Sequence, residues 1–161
     1  MRRRFLLAIG AAALSAVAFG GIVLATPPSM VTTTPIATGT LSRVNVHIKT
    51  GDWKVNLRTK GATDVIVTEN RLPPGGSFRW HSHPAPSFSV VKSGTLSFYR
   101  GDDPTCTPVI YHAGDVLIDP GNVVHLGRNE GSVDLVLTVT RLVPHGAASR
   151  IDAPNPGNCP F

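Results

Sequence analysis

Gly75-Gly76-Ser77-Phe78-Arg79-Trp80-His81-Ser82-His83 decides how this chain is read, because it sets two histidines two positions apart in strand-like sequence. A strand turns successive side chains to opposite faces, so His81 and His83 share one face. By the same alternation Arg79 joins them, placed to meet an anionic group such as a substrate carboxylate. Phe78 and Trp80 then point the other way, into a second layer or a dimer interface. A third imidazole, His125, follows in another β segment, where a closed sheet brings it opposite the pair. A single His-x-His says little, since lone histidines are more often surface or core residues than ligands. Three of them on strands of one barrel point to one metal ion.

Outward from this stretch, residues 41–143 alternate short Val-, Ile-, Leu-, Thr- and Phe-rich runs with Gly, Pro, Asn and Asp. Ten strands are predicted, over residues 42–48, 53–58, 64–72, 77–81, 87–92, 95–99, 109–111, 115–118, 123–128 and 133–142. No sustained 3.6-residue period interrupts them, which excludes βαβ units and favours an all-β sandwich or closed barrel. Residues 26–40, rich in Pro and Thr, read as a loosely attached arm. Residues 144–161 carry Pro144, Pro154, Pro156 and Pro160 and read as an irregular tail that wraps the barrel. Cys106 and Cys159 both lie in loop sequence, and in an exported chain an even cysteine count favours a disulfide between them; two free thiols are the alternative.

Residues 1–25 open with Arg2, Arg3 and Arg4, continue almost wholly apolar to Leu24 and end Val23-Leu24-Ala25. That is the layout of a signal peptide cleaved after Ala25, leaving no stable membrane anchor on an extracytoplasmic product. An uncleaved anchor helix is the alternative. Arg2-Arg3-Arg4-Phe5-Leu6 also resembles a twin-arginine export signal. The formal net charge of +5 draws on those three arginines. The remaining basic residues are dispersed among acids, so a nucleic-acid-binding surface is excluded as a reading.

The histidine spacing resembles the cupin family. Its first motif is Gly, five residues, His-x-His, three or four residues, Glu, six residues, Gly, which this chain matches at Gly75, His81, His83 and Gly94. Its second is Gly, five residues, Pro-x-Gly, two residues, His, three residues, Asn, matched at Gly114, Pro120, His125 and Asn129. Two positions depart. Asn122 replaces a glycine, a mild change because Asn tolerates the left-handed region. Ser87 stands at the Glu position, so the anionic ligand of the family is missing there.

The resemblance, over residues 63–142, implies a single cupin-type jelly-roll β-barrel in which His81, His83 and His125 hold a divalent transition metal. Imidazole donors suit several such ions, so Fe, Zn, Mn, Ni and Cu all stay open. The family also includes thiol dioxygenases that hold Fe(II) with three histidines. Hence the leading expectation is a secreted metal-dependent cupin acting on a small molecule by oxidative chemistry, with Arg79 and Ser87 near the substrate and no catalytic residue assigned. The alternative is a non-catalytic ligand-binding or structural cupin with a degenerate site. A homodimer is a further expectation from the family.

Overall fold

The computed structural model describes residues 25–161, so the signal segment read over residues 1–25 lies, Ala25 apart, outside the described residues. Those residues form twelve strands and no helix, and none of them makes a helix long and apolar enough to cross a membrane. The strands are β1 Thr32–Leu41, β2 Asn45–Thr50, β3 Trp53–Arg58, β4 Thr63–Leu72, β5 His81–Ser82 and β6 Ser87–Ser93. They continue with β7 Thr95–Arg100, β8 Val109–His112, β9 Val116–Asp119, β10 His125–Arg128, β11 Leu135–Pro144 and β12 Ile151–Asp152.

Two five-stranded sheets carry the fold, in the orders β1-β4-β11-β6-β9 and β12-β5-β10-β7-β8. All pairings are antiparallel. Without the flanking strands β1 and β12, the two rows of four have the order of a jelly roll, in which the chain crosses repeatedly from one sheet to the other. Leu72, Leu117, Leu135, Leu137, Val139 and Val91 from the first sheet meet Leu96 and Phe98 from the second in the main core. Tyr99, next to Phe98 on β7, points to the opposite face. There it joins Trp80, Leu126, Ala153 and Cys159 in a smaller cluster that seats the tail.

Three expectations need correction. The Pro/Thr-rich stretch 26–40 is not a free arm throughout: its β-branched run pairs with β4 as β1, and Pro35 is accommodated because β1 is an edge strand with a bulge between Pro35 and Ala37. Residues 45–58 do not belong to the barrel wall but form a separate hairpin, β2-β3, with Val46, Ile48, Trp53, Val55 and Leu57 exposed. The tail is not wholly irregular, since β12 pairs with β5 at Ile151↔Ser82 and Asp152↔His81. The expected pairing of Cys106 with Cys159 is present, closing a loop of sequence separation 53.

Candidate metal centre

β5 and β10 lie side by side with His125 directly opposite His81, and His83 follows one residue past the end of β5. The three imidazoles are each about 4 % exposed and gather in one pocket between the sheets, with ligand atoms all within 4.8 Å of one another. Backbone geometry fixes this. The Asn122 N–H donates to the His83 carbonyl at 2.7 Å, tying the turn before β10 to the His-x-His segment. Asn122 has φ 58, the left-handed conformation its substitution for glycine had to permit. Asn129 is fully buried and clamps the far end of β10, its Nδ2 donating to the carbonyls of Leu72 and Val133, both at 2.8 Å.

Each ring has one nitrogen committed. Nδ1 of His81 lies 2.8 Å from the Arg79 carbonyl, that of His83 2.6 Å from the Ser149 carbonyl, and that of His125 2.9 Å from the Val123 carbonyl. A carbonyl only accepts, so every Nδ1 carries the proton and every Nε2 presents a lone pair. Burial pushes all three imidazoles below their ordinary value, His83 to about 4; Arg150 adds repulsion at His81 and Arg141 at His83. At neutral pH they are neutral donors held in one tautomer, the arrangement that orients histidine ligands in metal sites.

The pocket contains two charged residues that sequence reasoning missed. Asp119, at the end of β9, is 3 % exposed; its Oδ1 accepts from the Gly121 N–H at 3.0 Å, and its Oδ2 has no hydrogen-bond partner. That Oδ2 lies 3.8 Å from Nε2 of both His83 and His125. Arg141, near the end of β11, lines the same pocket. Its Nη1 donates to Thr68 Oγ1 at 3.3 Å and its Nε has no partner. Burial pushes its guanidinium below the ordinary value, and among the described residues no carboxylate approaches within ion-pair distance.

Ser87 is where the motif put it, buried at 3 % exposure beside the histidines. It stands in a row across three strands, with Arg141 opposite it on β11 and Asp119 opposite it on β9. Arg79 is a correction. It has φ 58, which breaks the alternation, so its side chain is exposed on a different pocket with Arg128 and Phe161, while Phe78 turns to the histidines. Trp80 does face away from them, into the cluster under the tail.

Ser89 apart, the remaining side chains of the wall are apolar, with Phe78, Leu96, Phe98, Leu117, Leu137 and Val139 lining about 40 Å³. A second cavity of about 160 Å³ adjoins through Phe98, Leu117, Asp119 and His125. Three Nε2 lone pairs and a carboxylate oxygen without a hydrogen-bond partner face one another in this pocket, and no hydrogen bond links them. A cation resolves that arrangement, so the residues fit a divalent transition metal.

A jelly roll with three converging imidazoles inside it is the architecture of the cupins. Residues 69–141 match the cupin domain family model, so this stretch is similar to a cupin domain. No curated protein matches the chain. Among solved structures, a double-stranded β-helix domain protein from Klebsiella pneumoniae is 21% identical with a TM-score of 0.46, over 70% of this chain and 84% of its own. A cupin-like protein from Thermotoga maritima is 22% identical with a TM-score of 0.48, over 56% of this chain and 65% of its own. An oxalate oxidase is 19% identical with a TM-score of 0.47, over 54% of this chain and 45% of its own.

Proposed function

We propose that this protein is an exported, metal-dependent cupin that acts on a small molecule bearing a carboxylate, with oxidative chemistry at Fe(II) as the leading version. The observation that carries this reading is the coexistence, in one buried pocket, of three converging imidazole lone pairs and a guanidinium with no ion-pair partner among the described residues. His81, His83 and His125 would hold the ion, which supplies Lewis acidity and, as Fe(II), electron exchange with dioxygen. The protein supplies the rest. The Arg79, Ser149 and Val123 carbonyls keep the rings in register. Arg141 takes over the role that the sequence assigned to Arg79, offering its unused N–H groups to a carboxylate in a forked geometry. The largely apolar wall lowers the local dielectric and so strengthens that pairing. The cavities hold only a few heavy atoms, which favours a small organic acid over a bulky substrate.

The disulfide between Cys106 and Cys159 supports an oxidising compartment, in keeping with export. The expected homodimer belongs to the same proposal and is read by light scattering on the purified chain.

The test is elemental analysis of the purified protein, followed by oxygen uptake by the Fe(II) form across small organic acids, thiols, diketones and phenols. One equivalent of transition metal and turnover of an organic acid are the expected result. Tight binding of an acid without turnover makes the protein a binder. His83→Ala is expected to abolish metal uptake, and unchanged stoichiometry would overturn the ligand assignment.

A further inference from the structure

We propose that Asp119 supplies the anionic donor of this metal centre, delivering from β9 the carboxylate that the family's glutamate position, Ser87, lacks. The inference rests on the reading that the three histidines hold a metal ion and goes beyond it, because no cupin motif position falls on Asp119. Its basis is register. Ser87 and Asp119 are direct cross-strand partners on β6 and β9, so both side chains face the same pocket at the same level. A carboxylate lost from one strand is thus available one strand over.

The local geometry agrees. Two donors on one ion, each about 2.0–2.2 Å from it, lie between about 3 and 4.3 Å apart. The Oδ2 of Asp119 is 3.8 Å from Nε2 of His83 and 3.8 Å from Nε2 of His125, inside that range and too long for hydrogen bonds. Both Nε2 atoms are acceptors, because the ring protons are on Nδ1. An Oδ2 aimed at two lone pairs is repelled by both unless a cation lies between them. Nothing else answers for it: Oδ2 is buried without any hydrogen-bond partner, and the Arg141 guanidinium forms no ion pair with it. The Gly121 N–H meanwhile holds Oδ1 at 3.0 Å, which fixes the carboxylate with Oδ2 turned to the histidines. A divalent ion there keeps one net positive charge rather than two.

Metal affinity measured on apo protein tests this without any activity assay. Mn(II) binding is followed by electron paramagnetic resonance, and Zn(II) binding by competition with a chromophoric chelator, for wild type, Asp119→Asn, Asp119→Ala and Asp119→Ala combined with Ser87→Glu. Loss of a direct ligand is expected to weaken Mn(II) binding roughly a hundredfold or more, at or beyond the upper end for residues that only position a ligand. The loss should be smaller for Zn(II), because carboxylate oxygen suits manganese and imidazole suits zinc. Restoring a carboxylate at position 87 should recover Mn(II) binding in the Asp119→Ala background. Circular dichroism confirms that each variant is folded, and the isosteric Asn variant keeps the side-chain volume.

Wild-type Mn(II) affinity in both Asp119 variants would overturn the assignment while leaving the three-histidine centre intact. Equal losses for Mn(II) and Zn(II), with no recovery from Ser87→Glu, would make Asp119 a positioning residue and overturn it too. Absence of metal uptake by wild type would instead refute the metal reading itself.

Discussion

Arg141 shows how a single residue changes the chemistry open to the pocket. Its guanidinium, partly desolvated and short of acceptors, gains most from a ligand that offers two coplanar oxygens. Arg141→Gln is therefore expected to weaken binding of small carboxylates about tenfold to a hundredfold, the loss of one or two charge-assisted hydrogen bonds, with metal stoichiometry unchanged. Arg141→Lys should recover only part of this, because an ammonium is a point charge without the fork. Calorimetric titration of the metal-loaded protein reads both. The two charged pocket residues differ from the histidines in how visible they were. His81, His83 and His125 sit at motif spacings and could be picked out from the chain alone. Arg141 and Asp119 meet only through pairing across Ser87, a long-range fact that no local pattern encodes. Each nevertheless left a trace: Arg141 continues the buried alternation Leu135, Leu137, Val139, and Asp119 continues that of Leu117. A charge extending a buried alternation is the signal to look for. Arg79 misled for a local reason, since a left-handed φ at a non-glycine residue cannot be read from spacing.

At the scale of elements, turns and strand ends set the site. The turn from β9 to β10 carries Asp119 at its start and His125 at its end, and Gly121 within it has φ +88. A Cβ there would lie 2.8 Å from the Ala85 carbonyl carbon, so backbone must move. Gly121→Ala is expected to cost about 2 kcal/mol or more, from the left-handed penalty and the clash together. A lower melting temperature accompanied by weaker metal binding would show that this turn spaces the ligands; weaker stability alone would not. Strand ends are also where pH acts. Asp64, at the start of β4, accepts from His145 Nδ1 at 2.8 Å, Thr40 Oγ1 at 2.7 Å and the Gly146 N–H at 3.0 Å, joining β1, β4 and the segment after β11. Chiefly the His145 hydrogen bond holds its carboxyl down to about 2, against an ordinary 3.8. The native state thus releases this proton more readily than the unfolded chain does. Its stabilising contribution is complete above the ordinary value and disappears as pH falls towards 2. Acid unfolding of Asp64→Asn, followed by tryptophan fluorescence, should have a shallower pH slope between about 4 and 2 than wild type. The edge strand β1 was hidden in the sequence because threonine repeats with a proline read as linker until β4 supplies the partner.

The whole molecule couples its tail to the three-histidine cluster. The proline-rich tail reads as a wrapper stapled by Cys159, and the staple is there, but nothing local in residues 144–161 signals that the tail reaches the histidines. Ser149 supplies the carbonyl that fixes His83, Arg150 Nη2 donates to the Phe78 carbonyl at 2.8 Å, and β12 extends the sheet beside His81. Ala153 and Cys159 anchor this segment against Trp80, Tyr99 and Leu126. Removing the disulfide with Cys106→Ser and Cys159→Ser frees a loop of sequence separation 53. On the chain-entropy model that costs about 4 kcal/mol, which for a domain of this size lowers the melting temperature by roughly ten degrees. The tail should then detach before the barrel, because few elements hold it beyond β5 and the small cluster. His83 would lose its carbonyl partner, and with it the fixed tautomer, so metal affinity should fall about ten- to a hundredfold while the barrel remains folded. Calorimetry and Zn(II) competition on the double serine variant separate the two effects. A lower melting temperature with unchanged Zn(II) affinity would mean that the Ser149 carbonyl is dispensable to the site. A fall in both would make the oxidising environment that closes the disulfide a condition for the metal centre as well as for the fold.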